Sequence, residues 1–334
     1  MARNLLTGEP PPRPLLLPIV FALGAKVENV PLHAFLNNPT KIVSASRQMR
    51  NHLQTDGVAC YFDAFLEAEA LGAILRRVSD DEPPIVEWEP EARAGELPPG
   101  LRSAEEAVNK GRIPVAAEVV RRMNAVPNRE FLLMAGVTGP VKLAGLLTQS
   151  EKRESARCED LPGEALEFAS SVTTQVATTF LEAGADAIFL HEQVPAGVTA
   201  KSCEEWSSLL APAINLARFY EALPVLQPAG ASTAMENWEL IARQEWGCVV
   251  CLPDSVALSR FSAGSGAAPP IPQSIALPPE IFRTDSPGKE EGISSIREAM
   301  RKTKPPVVMT AGDVPFSTDL KYLKRVLIEI SRSY

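Results

Sequence analysis

The sequence predicts an α/β protein of the (β/α)8 barrel class, folded as a single domain. Short apolar runs, typical of buried strands, alternate with stretches whose apolar residues recur at helical spacing. This alternation indicates parallel strands joined by crossover helices. Seven or eight such units fit into 334 residues, which favours a closed barrel and leaves an open parallel sheet as the alternative.

The composition is that of a globular protein with a sizeable core, since 45% of the residues are hydrophobic. The net charge of −8 argues against nucleic acid or an anionic membrane as a partner, because both are bound through lysine and arginine patches. No apolar run is long enough to span a bilayer. Five cysteines, an odd number spread over the chain, indicate reduced thiols and a cytoplasmic location.

Seven apolar runs are predicted as barrel strands, and a weaker run at Ile85–Trp88 is the candidate for an eighth. The seven are Leu16–Phe21, Val58–Phe62, Phe131–Ala135, Ala187–Leu190, Leu223–Leu226, Cys248–Leu252 and Pro306–Thr310.

Helical periodicity lies between these runs, and Gly184 marks one helix end as a C-terminal cap before a strand. The predicted helices are Lys41–Leu53, Ala104–Met123, Leu166–Ala183, Glu204–Glu221, Met235–Gln244 and Thr318–Arg332.

Three segments do not fit the alternation. Residues 1–14 are predicted as an N-terminal arm, and residues 78–103, which are acidic and rich in proline, as a surface excursion. Residues 262–291 are rich in proline, glycine and serine and are predicted as a long irregular loop insertion. On a barrel such an insertion is either an active-site lid or a disordered connection.

Candidate site residues follow the predicted strands, because catalytic groups of barrel enzymes stand at the C-terminal ends of the strands. Asp63 comes directly after Tyr61 and Phe62, and His191 with Glu192 follows the run "AIFL". His191 is the best candidate for a general acid or base, with packing against the barrel rim as the alternative. The other strand-end positions are Gly139, Gln227, Asp254 and Asp313.

Glu67 and Glu69 stand further along, where a helix begins. Acids favour a helix N-terminus because of the helix dipole, so capping is an alternative to a site role for this pair.

Cys248 and Cys251 have the C-x-x-C spacing of metal and redox sites. In a strand, however, residues three apart point to opposite faces, so both are predicted as structural thiols. Neither a G-x-G-x-x-G fingerprint nor a Walker loop is present in the sequence.

Six segments resemble, in order, junctions of the uroporphyrinogen decarboxylase superfamily, which includes the decarboxylase and cobalamin-linked methyltransferases. The resemblance covers residues 16–332 and implies a (β/α)8 barrel. The segments are "GVACYFDAFLEAEALG", "MAGVTGPVKLAGLL", "FLEAGADAIFLHEQ", "LPVLQPAGAST", "WGCVVCLPDSV" and "VVMTAGDVPFSTDLKYLKRVL".

The decarboxylase's reactive groups are matched only at Asp63, where the resemblance implies an aspartate that binds pyrrole nitrogens. The arginine-rich loop that grips the substrate carboxylates corresponds to "FALGAKVENV", in which Lys26 is the cation. The decarboxylase's tyrosine and histidine fall at Leu146 and Gly312. An octa-anionic porphyrinogen needs several charge-assisted contacts, so authentic uroporphyrinogen decarboxylation is not expected.

The methyltransferase branch binds zinc through a His-x-Cys pair and a later cysteine. The corresponding residues here are Gln227, Ala229 and Gly312, none of which is a zinc ligand. No metal site is therefore predicted.

These observations favour an enzyme that performs lyase or decarboxylase-type acid-base chemistry on a small polar substrate, without a cofactor. Asp63, His191 and Glu192 are predicted as catalytic residues, and Lys26 with Lys142 as cations for one substrate carboxylate. We expect an Asp63→Asn protein to lose activity with little change in melting temperature. The predicted substrate-binding residues are Lys26, Glu67, Gly139, Gln227, Asp254 and Asp313.

Two alternatives remain at this stage. One is methyl transfer with a corrinoid protein as partner, perhaps-free of the usual zinc ligands and with a divalent metal held by carboxylates and His191. The other is a non-catalytic barrel that binds a small molecule or a partner enzyme. The resemblance also implies a homodimer.

Overall fold

The structure is a computed structural model. It describes residues 6, 11–77, 79–80, 84–89, 93–149, 161–193, 199–229, 240–241, 247–253, 274–284 and 286–332.

Eight parallel strands form one sheet that curls into a nearly closed (β/α)8 barrel, as predicted. Going round the sheet, the order is β1-β10-β9-β8-β7-β6-β5-β2, and every ladder along it is parallel. The C-terminal ends of all eight strands therefore share one rim. All strands, in chain order, are β1 (Leu15–Leu17), β2 (Gly57–Tyr61), β3 (Ile74–Arg76), β4 (Ile85–Glu87), β5 (Leu132–Thr138), β6 (Ala187–Gln193), β7 (Leu223–Ala229), β8 (Val249–Pro253), β9 (Ser274–Leu277) and β10 (Val307–Thr310).

The seam between β1 and β2 closes through Asp56 rather than through a regular ladder. The Asp56 N–H donates to the Leu16 carbonyl at 3.0 Å, and the Asp56 carboxylate accepts the Leu16 N–H at 2.8 Å. Arg13 adds a two-pronged ion pair to the same carboxylate. Gly57 leaves room at the seam, because a Cβ there would stand 2.7 Å from the Leu17 side chain.

Alternate strand residues point into the barrel and form an inner core, whereas their neighbours pack outward against the helices. On β6, for example, Ala187 and Phe189 belong to the inner core, and Ile188 and Leu190 to the outer one. The buried inner core consists of Leu15, Leu17, Ile19, Ala59, Met134, Ala187, Phe189, Leu223, Val225, Val249, Cys251, Ala276, Val307 and Met309.

The helices cover the outside of the sheet with their apolar faces. The first long helix begins at an Asn38 cap, whose side chain accepts the Lys41 N–H. The helices are α1 (Gly24–Val27), α2 (Leu32–Leu36), α3 (Pro39–Leu53), α4 (Leu66–Leu71), α5 (Ala104–Ala107), α6 (Ile113–Asn124), α7 (Pro140–Leu147), α8 (Gly163–Glu182), α9 (Ala200–Phe219), α10 (Lys289–Thr303) and α11 (Leu320–Ser331), with a 3-10 turn at Pro279–Phe282.

The eighth barrel strand differs from the prediction. Ile85–Trp88 does not enter the barrel, because β4 pairs with β3 in a separate antiparallel hairpin. The eighth strand is instead β9, which lies within the segment 262–291 and pairs with β8 and β10. The prediction of an irregular loop is therefore wrong for the part from Ser274 onward, while residues 262–273 lie outside the described residues.

Two predicted helices also need comment. The predicted helix Ala104–Met123 is two helices, α5 and α6, separated near Gly111, which has φ +54°. A Cβ on Gly111 would come within 3.2 Å of the Ala70 backbone, so both space and conformation favour glycine there. The predicted helix Met235–Gln244 lies mostly outside the described residues, as does most of the N-terminal arm.

In the part of the chain that the structure describes, no helix combines the length and apolar character that crossing a bilayer requires. The cysteines Cys60, Cys203, Cys248 and Cys251 are buried free thiols. Cys248 lies in the outer core and Cys251 in the inner core, as the strand alternation predicts. Burial raises the pKa of the Cys248 thiol to about 12, which leaves it protonated and unreactive at neutral pH.

Gly136 on β5 makes room for the aromatic floor of the barrel mouth. A Cβ there would stand within 2.7–2.8 Å of ring atoms of Phe189 and Phe62. We expect Gly136→Ala to lower the free energy of unfolding by about 1–3 kcal/mol, because the rings must shift from their packed positions. Gly163→Ala is the matched control, since a Cβ there meets nothing within 4 Å. Equal urea midpoints for the two variants would contradict this packing.

Candidate functional site

A cavity of about 280 Å³ opens at the C-terminal rim, between the ends of β1, β2 and β10 and the β3–β4 hairpin. Its walls are mainly apolar, and four charged side chains reach it: Asp63, Arg77, Asp80 and Asp313. The remaining lining residues are Phe21, Ala22, Leu32, Leu36, Phe62, Ala64, Phe65, Pro84, Val314, Pro315 and Phe316.

Asp63 stands just past β2, at the position predicted for a site residue. One carboxylate oxygen accepts hydrogen bonds from Arg112 at 2.7 Å and Arg77 at 3.2 Å. The other accepts the Phe65 N–H at 3.0 Å, which shapes the turn into α4. Only 5% of the Asp63 side chain is exposed, so its orientation is set by these three donors.

Arg112 is the buried partner of Asp63, and sequence reasoning missed it. Its Nε also donates to Glu69 at 2.6 Å, and its Nη1 lies 3.4 Å from the Tyr61 hydroxyl. Burial disfavours the guanidinium charge, but Asp63 and its acidic neighbours outweigh that effect and raise the pKa of Arg112. The guanidinium is therefore permanently charged. No local pattern marks Arg112, because it follows Gly111 and meets Asp63 across 49 residues.

This ion pair changes the expectation for Asp63→Asn. The substitution leaves the Arg112 guanidinium, 7% exposed, with half of its anionic partners. Breaking a buried ion pair by removing one partner is strongly destabilising, so the variant is not expected to keep the native melting temperature.

Asp313, which follows β10, is the second carboxylate of the cavity. Its two oxygens accept the N–H groups of Phe21 and Ala22, each at 2.8 Å, and thereby tie the end of β10 to the loop after β1. Desolvation raises the pKa of Asp313 to about 7, against the opposing effect of these backbone donors. Asp313 is thus a carboxyl group that can hold or release a proton near neutral pH.

His191 points into the barrel behind Phe62 and is 8% exposed. Its Nδ1 lies 3.1 Å from the Gln227 Oε1, and the Gln227 amide nitrogen donates to the Thr310 carbonyl. Because Gln227 presents its oxygen, Nδ1 carries the proton and Nε2 is left as the acceptor nitrogen. Desolvation, followed by the charge of Lys142, lowers the pKa of His191 to about 3, so the ring is neutral at physiological pH.

Glu192 turns away from the barrel interior and caps α7. Its carboxylate accepts the N–H groups of Val141 at 3.1 Å and Lys142 at 2.7 Å, and the Trp206 indole N–H at 3.2 Å. Gly139 is required beside it, since a Cβ would stand 2.5 Å from the carboxylate oxygen. Burial raises the pKa of Glu192 to about 7, while the N–H donors oppose the rise. Both residues therefore fasten β6 to α7, with the Glu192 side chain 0% exposed.

Glu67 has a similar fastening geometry. Its carboxylate accepts the Thr138 N–H at 2.9 Å and the Thr138 hydroxyl at 2.5 Å, which ties α4 to the end of β5. Desolvation raises the pKa of Glu67, and the Thr138 bonds counteract it. Glu67 is 0% exposed and does not reach the cavity.

The two predicted lysines stand beside aromatic walls of the cavity. The Lys26 ammonium lies 4.5 Å from the centre of the Phe316 ring, and the Lys142 ammonium 5.8 Å from that of Phe65. Both rings line the cavity, so the lysines flank it without belonging to its lining.

The structure thus brings Asp63 and Asp313 together at one cavity and keeps the other predicted groups apart from it. His191 reaches it only through Phe62, whose ring lies edge-on to the imidazole at a centroid distance of 5.6 Å. Gln227 is fully buried beside His191. Asp254 lies outside the described residues.

The zinc site of the methyltransferase branch does not fit the residues present. Gln227 uses its amide on His191 and Thr310, while Ala229 and Gly312 have no ligand atoms in their side chains. Among the described residues no cluster of three or more His, Cys, Asp or Glu side chains is arranged to hold a metal ion.

Comparison with known proteins gives two findings. Residues 2–224 match the model of the family "Uroporphyrinogen decarboxylase (URO-D)". The fold is similar to that of a methyltransferase from Methanosarcina mazei, with a TM-score of 0.77 and 17% identity, over 98% of this chain and 96% of that one. No curated protein matches the sequence.

His191 yields a prediction for the pH dependence of stability. Its pKa is lowered to about 3 in the folded state, whereas the unfolded chain binds the proton near the ordinary value of 6.5. This contribution is therefore complete above pH 6.5 and is lost as the pH falls toward 3, by about 2 kcal/mol between pH 6.5 and 5. In His191→Asn the amide nitrogen can replace Nδ1, and we expect urea unfolding to show that much less acid sensitivity.

The control for this experiment is His52→Asn, because His52 is exposed on α3. It should keep the acid sensitivity of the natural protein. An unchanged pH profile in His191→Asn would show that the imidazole is not buried in its neutral form.

Proposed function

The chain belongs to the uroporphyrinogen decarboxylase family, and from that premise we propose that it is a lyase that decarboxylates a small nitrogen heterocycle in the mouth cavity. The observation that carries the proposal is the pair of carboxylates in one apolar cavity. Asp63 is held by two arginines, and Asp313 has a pKa near neutral pH.

The size and charge of the cavity support a small substrate. A volume of about 280 Å³ is at the lower end of small-molecule pockets, which span about 300–1,000 Å³. Arg77 is the cation among the described lining residues, opposite three aspartates. A tetrapyrrole with eight carboxylates would need several cations, so authentic uroporphyrinogen decarboxylation is disfavoured.

Asp63 is suited to hold the heterocycle rather than to transfer its proton. One of its oxygens already accepts two guanidinium donors, which stabilise the anion. The other oxygen accepts one backbone N–H and has capacity for an N–H of the substrate ring. The aromatic walls of Phe62 and Phe65 provide apolar contact for a flat ring.

Asp313 is suited to act as the acid. In its protonated form it would donate a proton to the ring carbon that bears the carboxylate, and the ring would become cationic beside Asp63. The bond from that carbon to the carboxylate then breaks, carbon dioxide leaves, and the bonding electrons neutralise the ring. Asp313 regains its proton from solvent. A pKa near 7 matches this cycle, because both forms of the group are populated at neutral pH.

The contributions proposed for the predicted catalytic residues differ accordingly. His191 is neutral and separated from the cavity by Phe62, so we assign it to positioning that ring. Glu192 is assigned to fastening α7. Methyl transfer with a corrinoid partner, and a homodimer, remain predictions, since a fold likeness at 17% identity does not favour either.

The experiment uses pyrrole-2-carboxylate, carbon-13 labelled in the carboxyl group, with release of labelled carbon dioxide measured by mass spectrometry. We expect turnover by the natural protein, deuterium from heavy water at the vacated ring carbon, and a fall in kcat of about 100-fold or more in Asp313→Asn. Asp319→Asn is the matched control, because Asp319 caps α11 through one side-chain oxygen that asparagine retains.

Undiminished turnover in Asp313→Asn would contradict the acid role. A rise in melting temperature with the probe but no carbon dioxide release would contradict the lyase proposal and favour the non-catalytic ligand-binding barrel.

A further inference from the structure

A groove on the outer wall of the barrel has a charge opposite to that of the whole chain. It lies between α10 and α11, has a volume of about 530 Å³, and is lined by five cations: Arg297, Lys321, Lys324, Arg325 and Arg332. Glu329 is the acid among its described lining residues. We call these five cations the basic groove. They stand together on a chain whose net charge is −8.

The stability of α11 does not account for this arrangement. Lys321 stands in the first turn, where the positive end of the helix dipole disfavours cations. Lys321, Lys324 and Arg325 are three and four residues apart, a spacing at which like charges repel along a helix face. Glu329 offsets part of this charge through its ion pair with Arg297 at 3.3 Å.

The shape of the groove indicates an extended occupant. Lys321 and Arg332 are eleven residues apart on one helix, a distance of about 16 Å along the axis. Between them lies Ile328, an exposed apolar residue with 37% of its surface accessible. Ile328 also borders a second hollow of about 290 Å³, whose lining includes Leu16 and Leu53.

One of the cations is already held in place. The Arg325 guanidinium lies 5.0 Å from the centre of the Tyr322 ring, and the Tyr322 hydroxyl donates to the Ile281 carbonyl at 3.1 Å. Tyr322 is thereby fixed to the barrel wall, and its ring orients Arg325 before any partner arrives.

We propose that the basic groove is the docking site of an acidic segment of a partner protein, which places an apolar side chain on Ile328. Charge complementarity selects the acidic segment, and the apolar centre distinguishes it from a simple polyanion. The groove follows α11 down the outer wall, away from the mouth cavity. Docking there is therefore independent of the decarboxylation proposed above.

The test measures fluorescence anisotropy of a labelled twelve-residue glutamate peptide with two central leucines, against the full-length protein. We expect binding that weakens with salt. Reversal of three charges, Lys321→Glu, Lys324→Glu and Arg325→Glu, should weaken it by about tenfold or more, because three exposed ion pairs are lost. Ile328→Ser should weaken it at high salt, where the apolar contact dominates.

The matched control reverses three exposed cations on other helices and in their connections: Lys110→Glu, Arg121→Glu and Lys201→Glu. It changes the net charge equally and should alter the affinity by less than about twofold. Circular dichroism verifies folding of each variant, and the neutral pair Lys321→Gln with Lys324→Gln replaces the triple reversal if that protein does not fold.

Several results would overturn the proposal. These are no peptide binding, an equal loss in the control, or equal competition by polyphosphate or single-stranded DNA, which would show a general anion site. A change in molar mass by light scattering that the triple reversal abolishes would identify a second copy of this chain as the occupant instead.

Discussion

The buried ion pair between Asp63 and Arg112 is the interaction on which the barrel mouth depends. It joins the end of β2 to the start of α6, and through Tyr61, whose hydroxyl donates to the Leu36 carbonyl, it also reaches α2. Burying either charge alone would be costly, so the two side chains hold each other in position. The orientation of Asp63 toward the cavity follows from this constraint.

The rim of the barrel distributes its polar groups by strand alternation. On β6, His191 points inward with Phe189, and the next residue, Glu192, points outward to the N-terminus of α7. Two adjacent polar residues after one strand thus have different tasks. The same division separates Asp313, which reaches the cavity, from Glu67, which fastens α4 to β5. A carboxylate at the rim is therefore as often a fastener of the fold as a part of the site.

The sequence was sufficient for the barrel and for the rim positions of Asp63, His191 and Asp313, because strand alternation and strand ends are local patterns. The outward turn of Glu192 was also readable, since Phe189 inside the barrel requires its odd-numbered neighbours to be inside. The strand Ser274–Leu277 was missed because four residues in a segment rich in proline and glycine give too short a pattern. Arg112 was not predictable, since its pairing with Asp63 exists only after folding.

A double-mutant cycle between Asp63 and Arg112 tests the central claim most directly. The free energy of unfolding is measured in urea for the natural protein, Asp63→Asn, Arg112→Met and the double variant. A buried pair at 2.7 Å predicts a coupling energy of about 2 kcal/mol, with the double variant more stable than the sum of the single losses implies. Strictly additive losses would show that the two charges do not hold each other, and the account of the mouth would be wrong.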